Sequence, residues 1–107
     1  MTLGKIFYSS WGYEQTNIDF YKVIGVSKSG KSITLQQIGG KVVEHAGFCS
    51  EYVVPNEEKE IGEPIRNRRL NVSKYSGQSF VNVSRREDWT NYAYEWGGQP
   101  LLQTDYY

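Results

Sequence analysis

The sequence predicts a single-domain, mostly β protein, a small antiparallel barrel of SH3-like or similar form spanning residues 1–107. Its core material is largely aromatic, because nine Tyr, four Phe and three Trp favour the pleated surface of strands. Short segments of alternating polarity recur along the chain, separated by polar turns rich in Gly. Together these observations predict six or seven short strands and at most one short helical turn.

The first half of the chain contains the clearest alternation. Residues 5–10 begin a strand in which Phe7 faces away from Ile6 and Tyr8. Residues 18–26 alternate in the same way, and residues 32–38 return as their hairpin partner after a polar turn. A Gly pair at 39–40 is predicted to end this third strand.

The second half is less regular. Residues 41–50 are ambiguous between a strand and a break, and a short strand at 51–55 is stopped by Pro55, which has no N–H for a ladder. The remaining elements, in order, are a solvated acidic loop at 56–64, a hairpin of strands at 69–73 and 79–84, a single helical turn at 87–90, a last strand at 92–96 and a tail at 101–107.

Composition and charge limit the partners and the cellular compartment that we expect for this protein. Twelve basic and twelve acidic residues cancel, so no global field would attract nucleic acid or a membrane. A lone cysteine, Cys49, excludes an internal disulfide and indicates a reducing compartment. The N-terminal residues lack the apolar run of a signal peptide, and no segment approaches the roughly 20 apolar residues of a membrane span. We therefore expect a cytoplasmic protein with no membrane partner.

Residues 25–32 match the phosphate-binding loop pattern G-x-x-x-x-G-K-S letter for letter. That loop works only where its lysine opens a helix whose N–H groups point at phosphate. Here the residues that follow are strand-like and continue to the Gly pair at 39–40. The motif is therefore predicted to be a hairpin turn, and no nucleotide cofactor is expected.

Metal and thiol chemistry are not expected either. His45 and Cys49 are each the only residue of their kind, and they cannot complete a four-ligand zinc site without carboxylates. Their spacing suits a Cys–His nucleophile pair only on a helix, which the Ala-Gly step at 46–47 disfavours. A structural cysteine is the favoured interpretation.

Two carboxylates, Glu14 and Asp19, offer the remaining route to an enzyme, as a pair for acid–base catalysis. The competing interpretation places Asp19 on a strand, where its carboxylate would accept hydrogen bonds from backbone N–H groups of the preceding turn. We favour that structural role, so the protein is expected to bind rather than catalyse.

A run of positive charge without any acid extends through residues 66–86. Its cations are Arg66, Arg68, Arg69, Lys74, Arg85 and Arg86. Tyr75 and Phe80 are interleaved with them, and arginines beside exposed aromatics can bind single-stranded nucleic acid or a nucleotide. The alternative is a solvated face whose arginines pair with the acidic residues of 57–63.

The stretch at 9–21 is the richest in functional side chains. It combines four aromatics with two carboxylates and several amides and hydroxyls. Loops on a rigid scaffold often carry function, and we expect Trp11, Tyr13, Gln15 and Asn17 to form an aromatic-polar corner. The hypothesis adds Trp96 as its neighbour, so that 11–19 and 96–100 share one ligand or partner site.

Residues 4–21, GKIFYSSWGYEQTNIDFY, resemble the signature of a family of small uncharacterised proteins carried by bacteriophages and mobile elements. The likeness resumes at YEWGGQP, residues 94–100, and at TDY, residues 104–106. This resemblance implies no catalytic residues. It implies a phage-type binding protein that acts in the cytoplasm of a bacterial host and engages a host or defence component.

Overall fold

The computed structural model describes residues 1–12, 16–47, 50–85 and 90–104, and strands account for most of them. In chain order these are β1 (Ile6–Trp11), β2 (Asn17–Val26), β3 (Ser32–Gly47), β4 (Ser50–Val72), β5 (Ser79–Asn82), β6 (Tyr92–Glu95) and β7 (Leu101–Thr104). Every pairing is antiparallel, and the described residues contain no helix. The predicted mostly β, antiparallel fold is confirmed. Most of the helical turn predicted at 87–90 lies outside the described residues.

Six of the strands close into a ring of hydrogen bonds. The order is β3-β2-β1-β6-β5-β4, and β4 pairs again with β3. β7 lies outside this ring and pairs with the first residues of β4. The ring therefore has an interior, an outer face and two open ends, and the two-residue period of each strand divides its side chains between interior and exterior.

Apolar side chains from all six ring strands fill the interior. The buried cluster consists of Phe7, Tyr21, Val23, Ile33, Leu35, Ile65, Val81, Val83 and Ala93. Phe7 points inward while Ile6 and Tyr8 point outward, which confirms the faces predicted for β1. The same holds for β2 as far as Val23, after which a bulge shifts the pairing with β3.

A second cluster covers the outer face of β1 and β2. Phe20, Ile38 and Val53 are its buried centre, with Trp96 and Leu101 among the half-buried residues around them. The covering layer is held by main-chain and side-chain bonds from β7. Thr104 N donates to Thr16 O at 3.0 Å, and the Gln103 side-chain oxygen accepts from Ile18 N at 3.2 Å.

The prediction of short strands is wrong for β3 and β4. β3 continues through the Gly pair at 39–40, and β4 continues through Pro55 and the acidic residues that follow. Glycine permits the close packing at Gly39, since a Cβ there would lie only 2.8 Å from the Lys59 side chain. Pro55 is tolerated because it lies beside a bulge and beyond the last pairing with β7.

The acidic stretch at 56–64, predicted as a loop, lies within β4 and contains a bulge. Pairing with β3 jumps from Ile38↔Glu60 to Gly39↔Asn56, so residues 57–59 have no ladder partner. Their side chains are exposed, which agrees with the predicted solvation. The tail predicted at 101–107 contains a further strand, β7, at its start.

The phosphate-loop pattern at 25–32 adopts the predicted hairpin turn. Ser27 N donates to Ser32 O at 2.9 Å, and Gly30 N donates to Ser27 O at the same distance. Gly30 has a positive φ of 76°, the conformation that glycine provides at such a turn. The loop connects β2 directly to β3 and opens no helix.

Candidate functional site at one end of the ring

Polar side chains collect at the end of the ring where β1 stops. Ser9 and Trp11 of β1, Asp19 of β2 and Gln37 of β3 all occupy inward positions in their strands. Antiparallel pairing aligns them, because Ser9 is opposite Asp19 and Tyr21 is opposite Gln37. Alternation therefore gives this end of the interior a hydrogen-bonding wall, while the middle is apolar.

Trp11 is the centre of the site. Its indole Nε1 donates to Asp19 Oδ2 at 2.6 Å, a short, charge-assisted hydrogen bond. The role predicted for Asp19, as an acceptor for backbone N–H groups of the preceding turn, involves residues 13–15, which lie outside the described residues. The indole still exposes 41% of its surface. The ring is thus held in place at its nitrogen while part of the residue remains exposed to solvent.

Burial shapes the acid–base properties of this end. Desolvation raises the pKa of Asp19 above its ordinary value, and the hydrogen bond from Trp11 partly opposes that rise. Burial also raises the pKa of Tyr21, as does the neighbouring Asp19 carboxylate, while the Arg85 guanidinium acts in the opposite direction. Tyr21 is therefore a neutral hydrogen-bonding group at physiological pH.

Asp19→Asn should make folding less dependent on pH. Because the pKa of Asp19 is raised on folding, its contribution to stability is complete below about pH 4 and is lost as pH rises through the folded pKa. Asparagine retains an oxygen that can accept the hydrogen bond from Trp11. It does not ionise, so the loss of stability with rising pH should disappear. Urea unfolding from pH 4 to 7 should show the variant gaining stability relative to the wild type as pH rises. Parallel profiles would contradict the assignment.

Asn91 and Asn17 also belong to the hydrogen-bonding wall at this end of the ring. Ser9 is fully buried, and its hydroxyl donates to Asn91 Oδ1 at 2.6 Å, which joins β1 to the residue before β6. Asn17 lies opposite Trp11 at the start of β2. Its Nδ2 is buried and has no hydrogen-bond partner among the described residues, an arrangement that is costly for an amide.

Two cavities meet at Trp11 and Asn91. The inner one has a volume of about 250 Å³ and is lined by Trp11, Asp19, Tyr21, Gln37, Val83, Arg85 and Asn91. The outer one, about 590 Å³, is a cleft lined by Ser10, Trp11, Gly12, Thr90, Asn91, Tyr92 and Tyr94. Asp19 is the only carboxylate among the described residues that line either cavity. Glu14, the other carboxylate of the predicted pair, lies outside the described residues.

The proposed pairing of Trp11 with Trp96 is wrong. Trp96 N donates to Ile6 O at 2.9 Å, at the opposite end of β1 from Trp11. The two positions are about 17 Å apart along the strand. Their side chains also differ in direction, since Trp96 packs edge-on against Phe20 on the outer face at 6.3 Å. The structure brings Trp11 together with Asn17, and Tyr13 and Gln15 lie outside the described residues.

Three of the predicted cations, Arg66, Arg68 and Arg69, lie on β4. Lys74 lies in the turn between β4 and β5, Arg85 follows the end of β5, and Arg86 lies outside the described residues. Arg85 lies at the ring end, where its Nη2 donates to Glu63 O at 2.8 Å. The ion pairs among the described residues are Lys5–Glu95 and Lys22–Glu57. The predicted alternative, in which arginines pair with the carboxylates of 57–63, therefore does not occur for Arg66, Arg68 or Arg69 within the described part of the chain.

Sequence reasoning missed Gln37, Asn91 and Ser9. For Gln37 and Ser9 a signal existed, because each is a polar residue at an inward position of an otherwise apolar strand. Asn91 had no such signal, since its role depends on a hydrogen bond to a residue 82 positions away.

Other chemistry finds little support in the described residues. Within the described ranges, no three His, Cys, Asp or Glu side chains converge on a possible metal site. His45 is exposed on β3, and Cys49 lies outside the described residues. In the same ranges, no helix has the length and apolar character needed to cross a membrane.

Comparison with known proteins identified no relative of this chain. No protein-family model matches this chain, and searches of curated proteins and of solved structures return no significant match. The functional argument therefore rests on the geometry of the site.

Proposed function

We propose that this protein is a non-catalytic binding protein that engages a host or defence protein through the ring end around Trp11. The resemblance of residues 4–21 to a phage and mobile-element family suggests that context. The observation that carries the proposal is a tryptophan fixed by a 2.6 Å bond to Asp19 and exposed between two cavities.

A fixed, half-exposed tryptophan suits protein recognition. Trp is among the residues most enriched at the energetic centres of interfaces. Holding its nitrogen in advance reduces the conformational entropy lost on binding. The site thus resembles a prepared contact rather than a reaction centre, where a carboxylate would need to be free to exchange a proton.

The inner cavity favours a partner side chain as its occupant. Its volume of about 250 Å³ is below the roughly 300–1,000 Å³ of pockets for drug-sized ligands and cofactors. Its walls combine an aromatic surface with Asp19, Arg85 and Gln37. A side chain with an apolar stem and a hydrogen-bonding end would satisfy both kinds of surface.

Trp11→Ala should sharply reduce partner capture, because it removes the exposed indole at the centre of the site. Immobilised wild type and variant are incubated with a bacterial lysate, and retained proteins and nucleic acid are both identified. We expect one specific protein to be retained by the wild type and to fall by about 30-fold with Trp11→Ala, the effect of losing a central interface residue. Tyr75→Ala, which removes a fully exposed aromatic in a distant turn, is the matched control.

The outcome is decided by comparison of the three proteins. Loss with Trp11→Ala but not with Tyr75→Ala supports the proposal. Equal retention by all three, or no specific protein with any of them, contradicts it.

A further inference from the structure

A row of aromatic side chains crosses the outer face of β5, β6 and β1. The register places Phe80 opposite Tyr94, and Tyr94 opposite Tyr8. Ring centroids are 5.9 Å apart for Phe80 and Tyr94 and 6.4 Å for Tyr94 and Tyr8. Tyr92 lies two residues before Tyr94 on the same face of β6. It packs edge-on against Phe80, with the ring centroids 5.5 Å apart. The result is an ordered aromatic surface rather than scattered exposed rings.

The aromatic row is exposed to solvent on β6, whereas its continuation on β2 is buried. Beyond Tyr8 the row continues to Phe20, which is fully buried beneath the second cluster. Tyr94 and Tyr92 expose 37% and 43% of their surfaces. Aromatic pairs gain by packing, but a sheet face with this much exposed ring area is typical of a binding surface.

The cleft of about 590 Å³ borders the same rings. Tyr92 and Tyr94 form one side of it, and Ser10 and Thr90 contribute hydroxyl groups. Its volume falls within the roughly 300–1,000 Å³ typical of small-molecule sites, which is enough for a nucleobase with its sugar. A flat ring stacked on either tyrosine would therefore have polar neighbours at its edge.

Positive charge lies beside the row. Arg69 occupies the outward position of β4 two residues before Asn71, which is opposite Phe80. Lys74 follows in the turn between β4 and β5, and both cations are exposed. Neither takes part in an ion pair within the described residues. The outward positions described on β1, β5 and β6 carry no acidic side chain.

We propose that this face binds single-stranded nucleic acid, with bases stacked on Tyr92 and Tyr94 and phosphates held by Arg69 and Lys74. Aromatic rings flanked by unpaired cations are the recurring design of such platforms. A duplex would not fit, because its bases present no free faces to the rings. The inference goes beyond the proposed function, because it uses the outer face of the sheet and a different class of partner.

The test is fluorescence anisotropy with a labelled oligothymidine of about ten nucleotides, within the site size of one small β domain. We expect the wild type to bind with an affinity that falls as salt is raised. Tyr94→Ala should weaken binding about tenfold, whereas Tyr94→Phe retains the ring and should bind like the wild type. Arg69→Ala should weaken binding and reduce the slope of log affinity against log salt by about 1.

Lys28→Ala, which removes an exposed cation from the β2–β3 turn, is the matched control and should change nothing. Absence of binding at low salt, equal affinity for the corresponding duplex, or an unchanged affinity in Tyr94→Ala would overturn the proposal. Loss of a captured protein, rather than of the oligonucleotide, in Tyr94→Ala would instead identify the face as a protein-docking surface. Trp11 also lines this cleft, so the two proposals are separated by Tyr94→Phe and Arg69→Ala, which leave Trp11 and the inner cavity unchanged.

Discussion

Phe20→Ala is expected to destabilise the protein by about 3–5 kcal/mol, the usual loss for a fully buried phenylalanine. Phe20 is 0% exposed and contacts Trp96 edge-on at 6.3 Å. It is also the central residue joining β2 to Ile38 and Val53, so its loss opens a cavity beneath the layer formed by β7 and the start of β4. Since small domains are stable by only about 5–15 kcal/mol, the change removes a large share of the total.

Urea unfolding followed by tryptophan fluorescence measures this loss. Ile24→Ala is the matched control, because Ile24 lies on the same strand but exposes 44% of its surface. The control should change the free energy of unfolding by less than about 0.5 kcal/mol. A loss below about 1 kcal/mol for Phe20→Ala would contradict the existence of a packed second cluster.

Gln36→Glu is expected to cost about 3 kcal/mol or more at neutral pH, because it places an uncompensated charge against backbone oxygens. The Gln36 amide nitrogen donates to the carbonyls of Gln37, Ile61 and Gly62 at 3.0, 3.1 and 3.1 Å. The side chain is 5% exposed and lies where the pairing of β3 with β4 shifts between Leu35 and Gln37. Its amide therefore holds residues 61–62 of β4 against β3 at this register shift.

The pH dependence of this variant separates charge from packing. Burial among carbonyl oxygens disfavours the ionised carboxylate, so the new group should have a raised pKa in the folded state. Its protonated form can donate one of the lost hydrogen bonds, so the destabilisation should shrink as pH falls through the raised folded pKa and be smallest below about pH 4. Gln36→Met removes the donor without adding charge and should give a smaller loss that does not vary with pH. Identical pH profiles for the two variants would refute this role for Gln36.

Local sequence determined the fold class and the orientation of the clearest strands. Alternation in β1 and β2 separated Phe7 from Ile6, and Tyr21 from Phe20, onto opposite faces of their strands, as the structure has them. The polar turn at 27–31 was equally readable, despite its match to a phosphate-binding loop. These features depend on the two-residue period and on turn chemistry, and neighbouring residues suffice to establish both.

The length of β4 and the composition of the site were decided by tertiary contacts. Pro55 and the acidic residues after it read locally as a break, yet pairing with β3 carries the strand past them through bulges. Trp11 and Trp96 read as neighbours because both are aromatic and border a loop. Pairing of β1 with β6 instead places Trp96 beside Ile6, on the other face and at the other end of the strand.

Asp19 shows the same division at a single residue. Alternation placed Asp19 on the face of β2 opposite to Ile18 and Phe20, and a hydrogen-bonded role was expected from its position on a strand. Its partner could not be read locally, because the turn before it offered nearby N–H groups as an equally good alternative. The choice of the Trp11 indole depends on the β1–β2 register, which sets Ser9 opposite Asp19 and brings the indole within 2.6 Å. Sequence thus determined which groups share a face of each strand, and the pairing of distant strands decided which face is interior and which side chains meet.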